Sequence, residues 1–197
     1  MISEQMQHLF EEYFALRARI VEAAKANPKA VDPAWTFDTA GGQRSFADFF
    51  GTQQDLIVIH NMGRSCSYCT LWADGIHGYL HHLQSRTAIV LVNADPLPVQ
   101  QEFAASRGWT IPMACDSSGT FTDAMGFAGI QDGTRHLWPG MSTFHRDAHG
   151  TITHIASDVF GPGDVYMPIF PMMDLLHGGQ GEWQPQYSYS KPIGIDL

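Results

Sequence analysis

The 197-residue sequence is poor in cationic side chains, poor in cysteine and without a long apolar run. Only 11 Lys and Arg stand against 20 Asp and Glu, a net charge of −9 at pH 7. A nucleic-acid backbone or an anionic membrane surface would be repelled. The three cysteines, Cys66, Cys69 and Cys115, are odd in number. They cannot make a disulfide framework of the kind that staples small secreted domains. No basic start leads into an unbroken apolar stretch, and no stretch approaches the ~20 apolar residues of a membrane span, so a cytoplasmic location is expected. Charged residues are 16% of the chain and hydrophobic residues 44%. That balance excludes disorder and supplies a sizeable core within one domain plus appended elements.

Apolar side chains at Ile2, Met6, Leu9, Phe10, Tyr13, Phe14, Leu16, Ile20 and Val21 recur at helical spacing, so residues 1–30 read as an amphipathic helix and its exit. Residues 31–177 alternate short β-rich runs with helical patterns, the signature of an α/β layer structure. Asp55 to His60 and Ala88 to Val92 read as buried parallel strands, and Ser45 as the cap of a short helix through Phe50. Helices are expected from Cys66 to Gln84, from Pro96 to Arg107 with Gly108 as stop, and from Val165 to Leu176. Thr110 to Ala114 reads as a short strand, and Ser142 to His145 and Thr151 to Ile155 as a hairpin. Residues 178–197, rich in Gly, Pro and aromatics, read as a tail docked on the body or a neighbour. A helix and an aromatic tail outside the core are consistent with a homodimer.

Cys66-Ser67-Tyr68-Cys69 carries the chemistry. Covalent haem attachment would need His after the second cysteine, where Thr70 stands. A structural zinc site needs two more ligands; His77 lies too far along the same helix, so zinc would have to recruit His60 and Cys115. Two reduced thiols packed under a loop is a further reading. The third use is dithiol-disulfide exchange, in which a CxxC opens a helix directly after a buried strand. There the helix dipole and Arg64 would favour a thiolate at Cys66, the nucleophile, and Cys69 would resolve the mixed disulfide. The working group would then be the Cys66-Cys69 disulfide itself, with no other cofactor and no metal.

The strand, loop, CxxC, helix order resembles the thioredoxin fold: a central mixed sheet flanked by helices. Thioredoxins place a buried carboxylate six residues before the motif; His60 stands there, and the resemblance makes it the general base for Cys69. Phe46-Ala47-Asp48-Phe49-Phe50, Cys69-Thr70-Leu71-Trp72-Ala73-Asp74-Gly75, Arg107-Gly108-Trp109 and Phe144-His145-Arg146-Asp147 resemble a bacterial thioredoxin-like family related to alkyl hydroperoxide reductase C. Its members are described as predicted dithiol-disulfide oxidoreductases. The resemblance implies a fold and an activity on a thiol or disulfide substrate, protein or small molecule. Thioredoxins set a cis-proline opposite the CxxC; that place falls on Met141 or Ser142, which with Tyr68 and Trp138 are the candidate substrate-binding residues. A peroxiredoxin would need Thr or Ser three residues before its reactive cysteine, and Gly63 occupies that position for Cys66. Cys115 reads as a core thiol. The expected activity is thiol-disulfide oxidoreduction; the alternative is a non-catalytic thioredoxin-fold module that binds a metal or a protein partner.

Overall fold

A computed structural model describes residues 2–189. Its elements run α1 (Glu4–Ala24), β1 (Lys29–Ala30), β2 (Thr36–Thr39), β3 (Gly42–Ser45), a 3-10 helix (Phe46–Phe50), β4 (Asp55–His60), α2 (Ser67–Gly78), α3 (Leu80–Gln84), β5 (Ala88–Asn93), α4 (Leu97–Arg107) and β6 (Met113–Cys115). There follow α5 (Thr120–Ala124), β7 (Ala128–Gln131), β8 (Thr134–Leu137), β9 (Gly140–Arg146), β10 (Ile152–Val159) and α6 (Ile169–Asp174). The main sheet has the order β1-β10-β9-β4-β5-β6-β2-β3, and β7 pairs with β8 separately. β4, β5 and β6 are parallel, as helical crossovers require, whereas β9 runs antiparallel on the other side of β4. The central mixed sheet expected from the sequence is present.

Alternation along the strands builds two cores, one on each face. Ile59 of β4 and Ile89 and Leu91 of β5 turn toward Trp72, Ala73 and Ile76 of α2 and Phe170 of α6. Leu56, Val58, Val90 and Val92 turn the other way, toward Phe37, Phe46, Phe50, Phe121 and Phe144. At about 25 cal/mol per Å² of apolar surface, each of these large side chains contributes roughly 1.5–3 kcal/mol of burial free energy.

The family-like blocks turn out to be scaffold. Asp74 of α2 accepts hydrogen bonds from the Arg107 guanidinium and from Trp109 Nε1 at 2.8 Å, tying α2 to α4. Gly75 faces the Met167 side chain, too close for a Cβ. Ser45 and Asp48 form a reciprocal capping box on the 3-10 helix. Arg107 Nη1 also donates to the Tyr187 carbonyl at 2.6 Å, and Trp183 packs against Phe170, so the tail through Tyr189 lies on the body. The rest of the tail lies outside the described residues.

Several expected elements are redrawn. The helix from Cys66 to Gln84 is two helices: Gly78 weakens the helix and Tyr79, at φ −119°, redirects the chain. The last helix starts only at Ile169, because Asp164 caps a turn through the N–H groups of Tyr166 and Met167 and Pro168 and Pro171 are tolerated only around a helix start. The strand expected at Thr110 begins at Met113, after Pro112. The β7-β8 hairpin was not anticipated. Its turn is Asp132-Gly133, both at positive φ (51° and 75°), the pairing that type I′ turns demand. α1 has no buried residue; its last turn lies against β9 and β10. No helix among the described residues is long and apolar enough to cross a membrane.

Candidate active site

The loop between β4 and α2 is pinned before it reaches the cysteines. Asn61 Oδ1 accepts from Gly63 N–H at 2.7 Å, and Asp95 Oδ2 accepts from Arg64 N–H at 2.7 Å. Gly63, at φ +96°, is required: a Cβ would lie 2.7 Å from the Asp95 carboxylate. Cys66 then takes the N-cap position of α2 in extended conformation, and its sulfur accepts from Cys69 N–H at 3.1 Å, as a capping oxygen would.

The two thiols are chemically unequal. Cys66 is half-buried and its thiol is lowered from an ordinary 9.0 to about 7, first by a hydrogen bond from the Cys69 thiol and then by the N–H groups of Cys69 and Tyr68. These donors prefer a thiolate, the form that attacks disulfides. Cys69 is 2% exposed and is pushed up, because its S–H is held by Cys66, by burial, and by the charge on its neighbour. Cys115, on β6, is a free buried thiol raised by burial and by the carboxylates of Asp38, Asp116 and Asp95.

The other candidates are not gathered at the thiols. The Arg64 side chain is exposed and forms no hydrogen bond or ion pair among the described residues; donors to sulfur, not that guanidinium, lower Cys66. His60 points away. It follows Val58 on the face opposite α2, where its ring stacks on Phe127 at 3.8 Å and on Phe121 at 5.6 Å. Its Nε2 shares a hydrogen bond with Ser142 Oγ at 2.9 Å. The residue that strand alternation delivers to Cys69 is Asn61, whose Nδ2 donates to the Cys69 carbonyl at 3.5 Å. The expected role of His60 as base for Cys69 is therefore corrected: the six-residue spacing was matched, but the side chain emerges on the wrong face. Burial moreover lowers its imidazole to about 3. The substrate candidates divide likewise. Tyr68 and Met141 pack with the α2-side core, Ser142 bonds His60 on the other face, and Trp138 lines a cavity beside His60. Among the described residues no group of three or more His, Cys, Asp or Glu comes together that could hold a metal.

A central mixed sheet whose β4 leads through a short pinned loop into a CxxC-capped helix is a thioredoxin-like fold. Solved structures share the fold. They include peroxidoxin BcpB from Mycobacterium tuberculosis, 18% identical over 66% of this chain and 85% of that chain, TM-score 0.52. A PrxQ mutant of Xylella fastidiosa, in which serine replaces a cysteine, is 14% identical over 66% and 82%, TM-score 0.54. The hypothetical protein SMc02350 of Sinorhizobium meliloti 1021 is 18% identical over 70% and 75%, TM-score 0.51. These likenesses are of fold. No curated protein matches the sequence. Residues 3–192 match the family described as "Bacterial protein of unknown function (DUF899)", and the chain belongs to that family.

Proposed function

We propose that the protein is a dithiol-disulfide oxidoreductase working through Cys66 and Cys69. The observation that carries this is the asymmetry of the pair: one half-exposed thiol lowered to about 7 and one buried thiol raised beside it. The Cys66 thiolate attacks one sulfur of a substrate disulfide, R–S–S–R′, releasing R′–S⁻ and leaving Cys66–S–S–R. Cys69 sulfur then attacks Cys66 sulfur and R–S⁻ departs. The protein loses two electrons and two protons as its disulfide forms, and the substrate gains both as two thiols. Two equivalents of an external thiol, themselves oxidised to a disulfide, return the pair to the dithiol. Asn61 positions the backbone at Cys69, while His60 and Arg64 lie outside the exchange.

Equilibration with glutathione buffers followed by mass measurement tests this. A reversible Cys66-Cys69 disulfide, a trapped glutathione adduct in Cys69→Ser and neither in Cys66→Ser are expected. Absence of the disulfide across the series overturns the proposal, as does bound zinc that is lost on Cys69→Ser. Faster oxidation of Cys66 by hydrogen peroxide than by any disulfide would instead assign a thiol peroxidase.

The homodimer is proposed through α1. Met6, Leu9, Tyr13, Leu16 and Ile20 follow a 3-4 spacing along α1 and are 44 to 54% exposed, the a/d seam of a helix pair. Glu12 and Arg17 fall at the flanking positions that pair between parallel strands. Sedimentation of the full chain should give a dimer, and Leu9→Glu with Leu16→Glu a monomer; a monomeric wild type refutes the pairing.

A further inference from the structure

On the face opposite α2, four side chains form an unbroken hydrogen-bonded chain across three strands. His60 Nε2 of β4 meets Ser142 Oγ of β9 at 2.9 Å, Ser142 Oγ meets Ser157 Oγ of β10 at 2.8 Å, and Ser157 Oγ meets His154 Nε2 at 2.8 Å. The last contact depends on a local irregularity. His154 and Ser157 are three residues apart, a separation that sends side chains to opposite faces of a regular strand. The register of β10 on β9 shifts between His154 and Ala156, and that bulge returns both to one face.

The hydrogens of the chain run in one direction. His60 stays neutral because burial lowers it to about 3, and its Nδ1 is buried with no partner. A hydrogen there would be a buried donor without an acceptor, so the ring carries it on Nε2. His60 therefore donates to Ser142, Ser142 to Ser157, and Ser157 to His154 Nε2. A protonated His154 has no lone pair at Nε2, and the Ser157 hydroxyl loses its acceptor. His154 is also the direct cross-strand partner of Lys29 on β1, so its charge would face a second cation. β9 presents only the Phe144 ring to it, at 5.2 Å, and the titratable group of β4 on this face is His60 at the far end of the chain. β1 is two residues long, followed by Val31 N–H donating to Ile152 O at 3.0 Å, and it joins α1 to the sheet edge.

We propose that His154 is a pH-sensitive latch: neutral, it completes the chain and holds β1 on β10; protonated, it releases β1 and with it the root of α1. The sign agrees with its surroundings. Burial and Lys29 lower the folded His154 imidazole, so protons bind the released form better. The hold is complete above the free value of 6.5 and is lost as pH falls toward the folded value. The latch is independent of the thiol chemistry and of the helix pairing proposed above.

Amide hydrogen exchange of the full chain, expressed as protection factors at pH 7 and pH 5, tests this, with the histidine ring nitrogens followed by NMR. Val31 protection should fall about tenfold, the value of one net hydrogen bond. A single histidine limits the fall to about 25-fold over that window. His154→Asn keeps an acceptor for Ser157 and never charges, so Val31 protection should stay level. Lys29→Gln, at an exposed position, should raise the His154 midpoint and shrink the fall, which keeps the prediction testable if the Asn variant does not fold. The proposal is overturned by Val31 protection that is unchanged at pH 5, by a fall beyond about 25-fold, by an equal fall in His154→Asn, or by a Lys29→Gln response as large as the parent's.

Discussion

Replacing Cys69 by Ala removes the S–H that contributes most to lowering Cys66, but leaves the N–H donors of residues 69 and 68 in place. The sign is fixed: losing a donor to a thiolate raises the pKa. With the main donor gone and two backbone donors kept, Cys66 should return about half of the way from about 7 toward 9.0, a rise of roughly one unit. At pH 7 the thiolate fraction then falls from about one half to about one tenth. A more basic thiolate is a better nucleophile, by about threefold per unit at a Brønsted slope of ~0.45. The observed alkylation rate at pH 7 should therefore drop only about twofold, while the plateau rate at high pH rises about threefold. Iodoacetamide kinetics from pH 5 to 10, in a Cys115→Ser background, separate the two effects. A midpoint that stays put in Cys69→Ala, or that already lies above about 8.5 in the parent, would refute the assignment of Cys66 as a thiolate held by its neighbour.

Gly140→Ala pushes a methyl into the Phe127 ring and the Asp158 carbonyl. About 1–3 kcal/mol of stability should be lost, seen as a fall of roughly 3–10 °C in calorimetry. Trp72→Ala empties the space between α2 and Phe160 and should cost about 3–5 kcal/mol in urea unfolding, with an unchanged m-value if only stability is affected. His60 is lowered to about 3 when folded, so the unfolded chain binds the extra proton. Its contribution is complete above the unfolded value near 6.5 and is lost as pH falls toward about 3. Between pH 6.5 and 5 the loss should be about 2 kcal/mol, in the same direction as the half-buried His154, also lowered by burial. A flat stability across that window contradicts a buried neutral His60.

Local chemistry made much of this fold readable. β4 was bounded by its apolar run, Gly108 closes α4 at φ 70°, and Ser45 caps the 3-10 helix as its hydroxyl suggests. The Asp132-Gly133 turn was equally legible but stood between strands too short and too polar to attract notice. The candidate site was half visible. Spacing along the sequence identified the CxxC and its helix start, because those depend on adjacent residues. It misplaced His60, because counting six residues back ignores parity: one residue along a strand exchanges faces, and only the packing of Ile59 against Trp72 reveals which face residue 60 takes. Arg64 failed for a related reason, since closeness in sequence does not aim a long side chain.

The alternation of β4 has one more result. Asn61 and His60 are neighbours in the chain and both line the cavity beside β4, yet Asn61 also reaches back to the Cys69 carbonyl. The end of the strand therefore joins a sulfur side and an imidazole side through one amide side chain. A substitution at Asn61 would be felt on both sides at once, whereas one at His60 changes the imidazole side first.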